Sequence, residues 1–455
     1  MPMAAVRSAI EVASKPFSQN KRVALAKAAA RSNALGRPRE RRGGVTSDAM
    51  GIPDLCADRY IKPVDIALHS SHYLCVDRHI NKTQGDTSTS RGPSLGCMTA
   101  DSPIAVKGCT VNKSMNRQIV LAARPNGNAR LTDFKFVSQA MPIPGEGEVR
   151  FRNTLISLDP YQRNLMGNAS SELPPIDIGQ SMPGPTVAIV DESRNEDFAV
   201  GDHVVTWSGW QEYGLSNGAD LQKIDVAAAP LSASLSVLGH TGLTAWVGLN
   251  KFLAPKPGGT FVVTAAAGSV GSIAAQLAKL KGHRVVGIAG GPQKVRYLKE
   301  ELGLDDAVDY KAPVFAAQLA QALPNGLNTL FDNVGGPIFE ALIPYFNIKA
   351  QIVICGAIAQ YSHPGAPDGP NKLPELLKAF LYRFVEIRGF ALPDHFDSAP
   401  AFLADVAPLV TEGKIKYNEH FVDGFENLPQ AFLQLFEGRN TGKLIARIST
   451  SQVKE

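Results

Sequence analysis

The stretch Phe261–Lys294, FVVTAAAGSVGSIAAQLAKLKGHRVVGIAGGPQK, constrains the fold more than any other part of the 455-residue chain. An apolar, β-branched run ends in Ala266-x-Gly268-x-x-Gly271, a helix-period segment follows with Ile273, Leu277 and Leu280 on one face, and a second strand reads HRVVGIA. In a strand–turn–helix–strand unit, the middle glycine lets a pyrophosphate approach the backbone and the last lets the helix pack tightly on the strand. Free N–H groups at the helix start, together with the helix dipole, suit phosphate. The second strand ends in Gly290-Gly291-Pro292-Gln293-Lys294, without the acid that would hold a ribose 2′-hydroxyl and with a cation nearby. That pattern suits a 2′-phosphate, hence NADP.

The surrounding sequence organises itself about this unit. NTLFDNV and AQIVICGA read as further strands, and strands alternating with helices of this length indicate an α/β parallel sheet. Residues 117–235 instead alternate short β-like runs, such as VRFRNTLISL and GDHVVTW, with Pro/Gly turns, which predicts a small β-rich domain. GKLIARIS near the C-terminus reads as a strand that returns the chain to it.

The first 114 residues are of another kind. They hold 17 Lys+Arg against 9 Asp+Glu, whereas the rest holds 29 against 33, so the basic character belongs to this segment alone. Residues 1–50, with ten basic and three acidic side chains, have the composition of a transit peptide or a basic disordered arm; a mis-assigned start is the third reading. His69, His72, Cys75 and His79 match no common zinc-finger spacing, and no aromatic interleaving supports nucleic-acid binding. Four of the five cysteines lie in this segment; a disulfide framework is excluded for the body, which suits a reducing compartment, the cytoplasm, or the mitochondrion if residues 1–50 are a transit peptide. No apolar run reaches membrane-spanning length, so no membrane partner is expected.

The segments AAAGSVGSIAAQLAKLKGHRVVGIAGG, LFDNVGG, IVICGAIAQY and NTGKLIARI, in this order, resemble the zinc-independent medium-chain dehydrogenase/reductases, specifically the alkenal/one reductase branch with its prostaglandin and curcumin reductases. The resemblance covers Met115 to Ile448. It implies a Rossmann domain (239–415) and a GroES-like β-rich domain (115–238, completed by 416–455), a homodimer, and NADPH as cofactor. It also implies that Gly268, Ser269, Val270 and Gly271 hold the pyrophosphate, and that Lys294 and Tyr310 hold the 2′-phosphate end. Asn333 and the run Cys355, Gly356, Ala357, Ile358, Ala359, Gln360 and Tyr361 would line the ribose and nicotinamide, with Phe390, Ala391, Leu392 and Asn440. Tyr161 and Arg163, in SLDPYQRNLM, match the family's DPYMR run on the substrate side, with Gln162 replacing Met. His240 and Ser269 depart from the commoner apolar residue and Ala.

Cysteine is absent between Met115 and Cys355, so no thiolate set for a catalytic or structural zinc is available in the body. Tyr345–Lys349 matches a Tyr-x-x-x-Lys dyad but precedes a strand, and Gly438–Lys443 is one residue short of a P-loop. The reaction expected is therefore hydride transfer to an activated C=C bond of a small-molecule enal or enone, with Tyr361 as the catalytic candidate for the enolate oxygen or the proton. Quinone reduction, a tailoring reductase of secondary metabolism and a non-catalytic NADPH-binding protein are the alternatives. Since every motif lies beyond it, a protein shortened to begin at Met115 is expected to match the full chain in melting midpoint and in NADPH consumption. Insolubility or lost turnover would instead make residues 1–114 part of the core.

Overall fold

Six parallel strands set the frame. The computed structural model describes residues 115–167, 174–254, 257–362 and 370–448, all within one compact unit; the basic N-terminal segment, with His69, His72, Cys75 and His79, lies outside the described residues. In chain order the strands are β1 (Met115–Leu121), β2 (Phe134–Ala140), β3 (Val149–Leu158), β4 (Thr186–Ser193), β5 (His203–Thr206), β6 (Tyr213–Ser216) and β7 (Gln222–Lys223). After them come β8 (Thr260–Thr264), β9 (Arg284–Ala289), β10 (Asp306–Asp309), β11 (Leu327–Asp332), β12 (Phe346–Ile354), β13 (Glu386–Gly389), β14 (Glu419–Asp423) and β15 (Lys443–Arg447). The helices are α1 (Gln162–Leu165), α2 (His240–Val247), α3 (Ser269–Leu280), α4 (Pro292–Arg296), α5 (Phe315–Ala322), α6 (Gly336–Leu342), α7 (Leu373–Arg383), α8 (Ala399–Thr411) and α9 (Leu428–Glu437).

Strands β8–β13 form the parallel sheet in the order β10-β9-β8-β11-β12-β13. This is the doubly wound Rossmann order, in which the chain reverses direction across the sheet between β8 and β11 and opens a crevice at their carboxyl ends. Strand β8 is the reason the sheet stays dry: Phe261, Val262 and Val263 are fully buried, and successive side chains point to opposite faces, so both faces must be covered. Helix α3 covers one of them with Ile273, Ala274 and Leu277.

The second sheet follows the order β14-β15-β3-β4-β5-β7, with β6 also pairing with β3, and it is β-rich as the alternation predicts. Strands β1 and β2 form a separate antiparallel pair, from Met115 opposite Ala140 to Leu121 opposite Phe134. The C-terminal strand β15 runs antiparallel to β3, with Leu444 opposite Leu158, so the last described residues close this sheet. An aromatic knot fixes its core: Trp210 lies 5.5 Å from both Phe134 and Phe432, stacked on the first and edge-on to the second. Among the described residues no helix is long and apolar enough to cross a membrane.

Two expectations are refined. The helix expected over QKVRYLKEELG is short, α4 continuing into an irregular wider turn at Tyr297–Glu301. Tyr345 sits in a short helical turn and Lys349 inside β12 at φ +61°, so the two do not share a helical face.

Candidate active site

A cleft of about 700 Å³ runs from the carboxyl ends of β8, β9 and β11 to the ends of β3 and β15. At its centre is the turn between β8 and α3. Gly271 packs so closely on this turn that a Cβ there would lie 2.4 Å from the Ala265 oxygen, and one at Gly268 would lie 3.1 Å from the same atom. Only hydrogen fits at Gly271, as helix–strand packing requires. Ser269 opens α3, with Gly268 as its N-cap in extended conformation, so the first helical N–H groups have no intrahelical acceptor. Gly268, Ser269, Val270 and Gly271 all line the cleft.

At one end stand the cations. Lys294 donates from Nζ to the Gly438 oxygen at 2.9 Å, and burial, with Lys311 nearby, pushes its ammonium below the usual value. Tyr310 borders the cleft beside it, and the Lys311 ammonium lies 5.9 Å from the centre of the Tyr310 ring. An ammonium at the edge of the cleft suits an anionic ligand. The expected acid is indeed missing from β9; Asp309 of β10 is nearby, but its Oδ1 accepts the Gly291 and Lys311 backbone N–H groups.

The middle of the cleft is built on Asp332, a residue the motif reading passed over. Fully buried at the end of β11, it accepts Thr264 Oγ1 at 2.6 Å and the Val334 and Gly335 N–H groups, while burial raises its carboxyl. The Asn333 side chain is held in turn, its Nδ2 donating to the Thr264 oxygen at 2.8 Å. Cys355 follows β12, and burial, with Asp332, pushes its thiol up to about 12. Such a thiol stays protonated and unreactive. Gly356, Ile358, Ala359 and Tyr361 line the cleft, whereas Ala357 and Gln360 close a turn in which Gln360 N–H meets the Ala357 oxygen at 2.8 Å. Phe390, Ala391 and Leu392 line it from the β13 side, and Asn440 from the loop before β15.

The far end is apolar and aromatic, with Trp207, Phe396 and Phe436 in its wall. Tyr361 accepts the Ala357 N–H at 3.2 Å, and burial raises its hydroxyl. Tyr161 also borders the cleft, and its buried hydroxyl has no hydrogen-bond partner among the described residues. Arg163 does not join it. Its guanidinium turns away and donates to the Gly127 oxygen at 2.6 Å, because α1 places the side chains of Tyr161 and Arg163 on different sides.

Beside the aromatic wall, a largely buried charge cluster also lines the cleft. Lys443 Nζ donates to Asp159 Oδ1 at 2.5 Å and to the Leu158 oxygen at 3.0 Å; His240 Nε2 stands 3.1 Å from the same Oδ1, and Ser157 Oγ bonds Oδ2 at 2.5 Å. Burial alone would raise the Asp159 carboxyl; Lys443 and His240 more than reverse this and hold it well below the usual carboxylate range. Sequence reading flagged His240 as unusual but missed its partners. The available signal was a lysine standing directly before the apolar run Leu444–Ala446 of the strand KLIAR.

The site fits a dinucleotide phosphate: a glycine cradle, a helix start and the Lys294 ammonium lie along one cleft. Among the described residues no three His, Cys, Asp or Glu side chains gather where a metal ion could be held, so these residues do not form a zinc site. Residues 117–224 match the family described as the N-terminal domain of oxidoreductase, and residues 269–405 the one described as zinc-binding dehydrogenase. The chain is 42% identical over 338 residues to the NADPH-dependent curcumin reductase of Escherichia coli, covering 74% of this chain and 98% of that protein. It is 38% identical over 321 residues to prostaglandin reductase 1 of Bos taurus, covering 70% and 94%. The crystal structure of CurA in complex with NADPH from Vibrio vulnificus is similar with a TM-score of 0.71 at 40% identity, covering 73% of this chain and 99% of that one.

Removing one partner of a buried pair leaves the other charge uncompensated, so Lys443→Ala should cost about 3–5 kcal/mol in urea unfolding at pH 7. The sign with pH follows from the depressed Asp159 carboxyl. Its contribution is fully present above its unfolded pKa of about 3.9 and is lost as pH falls below that value. Acid should therefore destabilise the natural protein more steeply than Asp159→Asn; parallel acid limbs would contradict the assignment.

Proposed function

The chain belongs to the zinc-independent medium-chain dehydrogenase/reductases, in their alkenal/one reductase branch, and we propose that it is an NADPH-dependent reductase of activated C=C bonds in α,β-unsaturated aldehydes and ketones. The observation that carries this reading is one continuous cleft with the Lys294 ammonium at one end, a glycine cradle at its centre and an aromatic wall at the other. NADPH, when bound, supplies the hydride for the β-carbon of the substrate.

The residues divide the remaining work. The N–H groups of Gly268–Gly271 bind the pyrophosphate, and Lys294 and Tyr310 bind the 2′-phosphate, with Lys311 adding charge. Asn333, the 355–361 loop, Phe390–Leu392 and Asn440 shape the pocket for ribose and nicotinamide. Trp207, Phe396 and Tyr161 exclude water from the substrate. Tyr361 donates its hydroxyl hydrogen to the substrate oxygen on which negative charge develops, and its raised pKa suits a donor that keeps its proton. Arg163 steadies the Tyr161 turn from behind.

Two further points belong to this reading. A reduced Cys355 thiol suits the cytoplasm. A homodimer through β13 is supported by its position at an open edge of the parallel sheet and by the adjacent apolar stripe of Leu373, Leu377 and Leu381, exposed by 54%, 54% and 64%. Antiparallel pairing centred on Ile387 would set Glu386 against Arg388 of the partner subunit. Sedimentation should give twice the chain mass, and Ile387→Pro, which removes an edge N–H, should give the single-chain mass; a natural protein that sediments as one chain would end this proposal.

The function is tested by following NADPH consumption with enals, enones, quinones and alcohols side by side. Enals and enones should turn over; consumption only with quinones or alcohols would overturn the reading. In Lys294→Ala, kcat/KM for NADPH should fall about ten- to a hundredfold, as expected for a charge-assisted hydrogen bond of about 1.5–3 kcal/mol, while NADH is nearly unaffected. Equal losses for both cofactors would make Lys294 structural.

A further inference from the structure

We propose that His240 is the proton donor of this reaction, delivering to the substrate α-carbon the proton required once the β-carbon has been reduced. The inference rests on the double-bond-reductase reading above and assigns a residue that the family resemblance does not.

His240 opens α2 and lines the cleft, its side chain 11% exposed and its ring 6.0 Å from that of Trp207 in an edge-on contact. Two bonds tie this position to the cofactor turn. The neighbouring Thr241 accepts Ser269 Oγ at 2.7 Å, and Gly442, next to Lys443, donates its N–H to the Ala267 oxygen at 2.8 Å. The ring thus stands at a fixed offset from the start of α3. Its tautomer is set by Asp159: Nε2 carries the hydrogen directed at Oδ1, which leaves Nδ1 as the nitrogen that can gain and release a proton.

Asp159, at the end of β3, also accepts from the Lys443 ammonium of β15 and from Ser157, so His240 is one of three donors to it. Tyr161 and Tyr361 also border this end of the cleft, but burial raises both hydroxyls, which suits them to hydrogen bonding rather than proton loss. In the step itself the Nδ1–H bond breaks and the Cα–H bond forms with the electron pair of the enolate. The imidazole left behind keeps Nε2–H on Asp159 and takes a proton from water. Both electrons come from NADPH, so no other reductant is required.

The test compares the natural protein with His240→Gln, whose amide can still donate to Asp159, and His240→Phe. The substrate is 3-methylpent-3-en-2-one, whose α-carbon becomes stereogenic on reduction. NADPH affinity, read by cofactor fluorescence, reports on the fold independently of turnover. Both variants should bind NADPH within about twofold of the natural protein, lose about a hundredfold in kcat, and give product of mixed configuration at the α-carbon because water then protonates the enolate from either face. Variants with kcat within threefold and unchanged configuration would overturn the proposal, as would loss of NADPH affinity in both, which would make His240 structural. If the natural protein reduces no enone in the panel, the parent reading falls first, and that failure is distinguishable because it precedes any variant.

Discussion

The Asp159–Lys443 ion pair is the joint on which the rest of the site depends. It links the end of β3 to the start of β15, and the residue before Lys443 bonds the backbone of the cofactor turn. Gly268 and Gly442 pair there in a single parallel bridge, which ties the loop before β15 to the cofactor turn. Two ions removed from water are costly to hold, and replacing such a pair with apolar groups is often neutral or stabilising. Its retention beside a binding cleft therefore points to geometry: an ion pair fixes direction and distance, which apolar packing specifies less sharply.

The cleft is graded electrically along its length. Lys294 makes one end cationic, the glycine turn offers backbone N–H groups, and the far end presents aromatic faces beside a charge cluster whose two principal ions cancel. A dinucleotide phosphate has the opposite gradient, charged at its phosphates and neutral at its reactive ring. The match orients the ligand before any specific base or ring contact is made.

Much of the parallel sheet was legible from sequence because its signals are local. Phe261–Val263 form a β-branched, aromatic run that belongs in a buried strand, Gly271 sits where no Cβ fits, and Ile273 and Leu277 mark one helical face. The cofactor residues were legible through the order of several short motifs. Long-range partners were not. Lys443 lies 284 positions from Asp159, and no periodicity reports such a contact. Asp332 looked like an ordinary residue of FDNVGG, although its carboxylate organises the loop beside it. Arg163 matched a motif by type, yet its direction depends on the four-residue helix α1 and on the Gly127 carbonyl, neither of which the motif encodes.

The loop from Gly438 to Gly442 has a consequence for how such a chain can change over evolutionary time. Its first residue accepts Lys294, its last donates to Ala267, and a Cβ on Gly442 would lie within bonding distance of the Asn418 oxygen. Strand β15 begins at the next residue, and in a strand a shift of one position turns every side chain to the opposite face. Insertion or deletion of a single residue here would move Lys443 off Asp159 and exchange the buried and outward faces of the strand together. Loops ordinarily absorb changes of length most freely; this one is a ruler, and its length should be as restricted as the identity of any residue in the cleft.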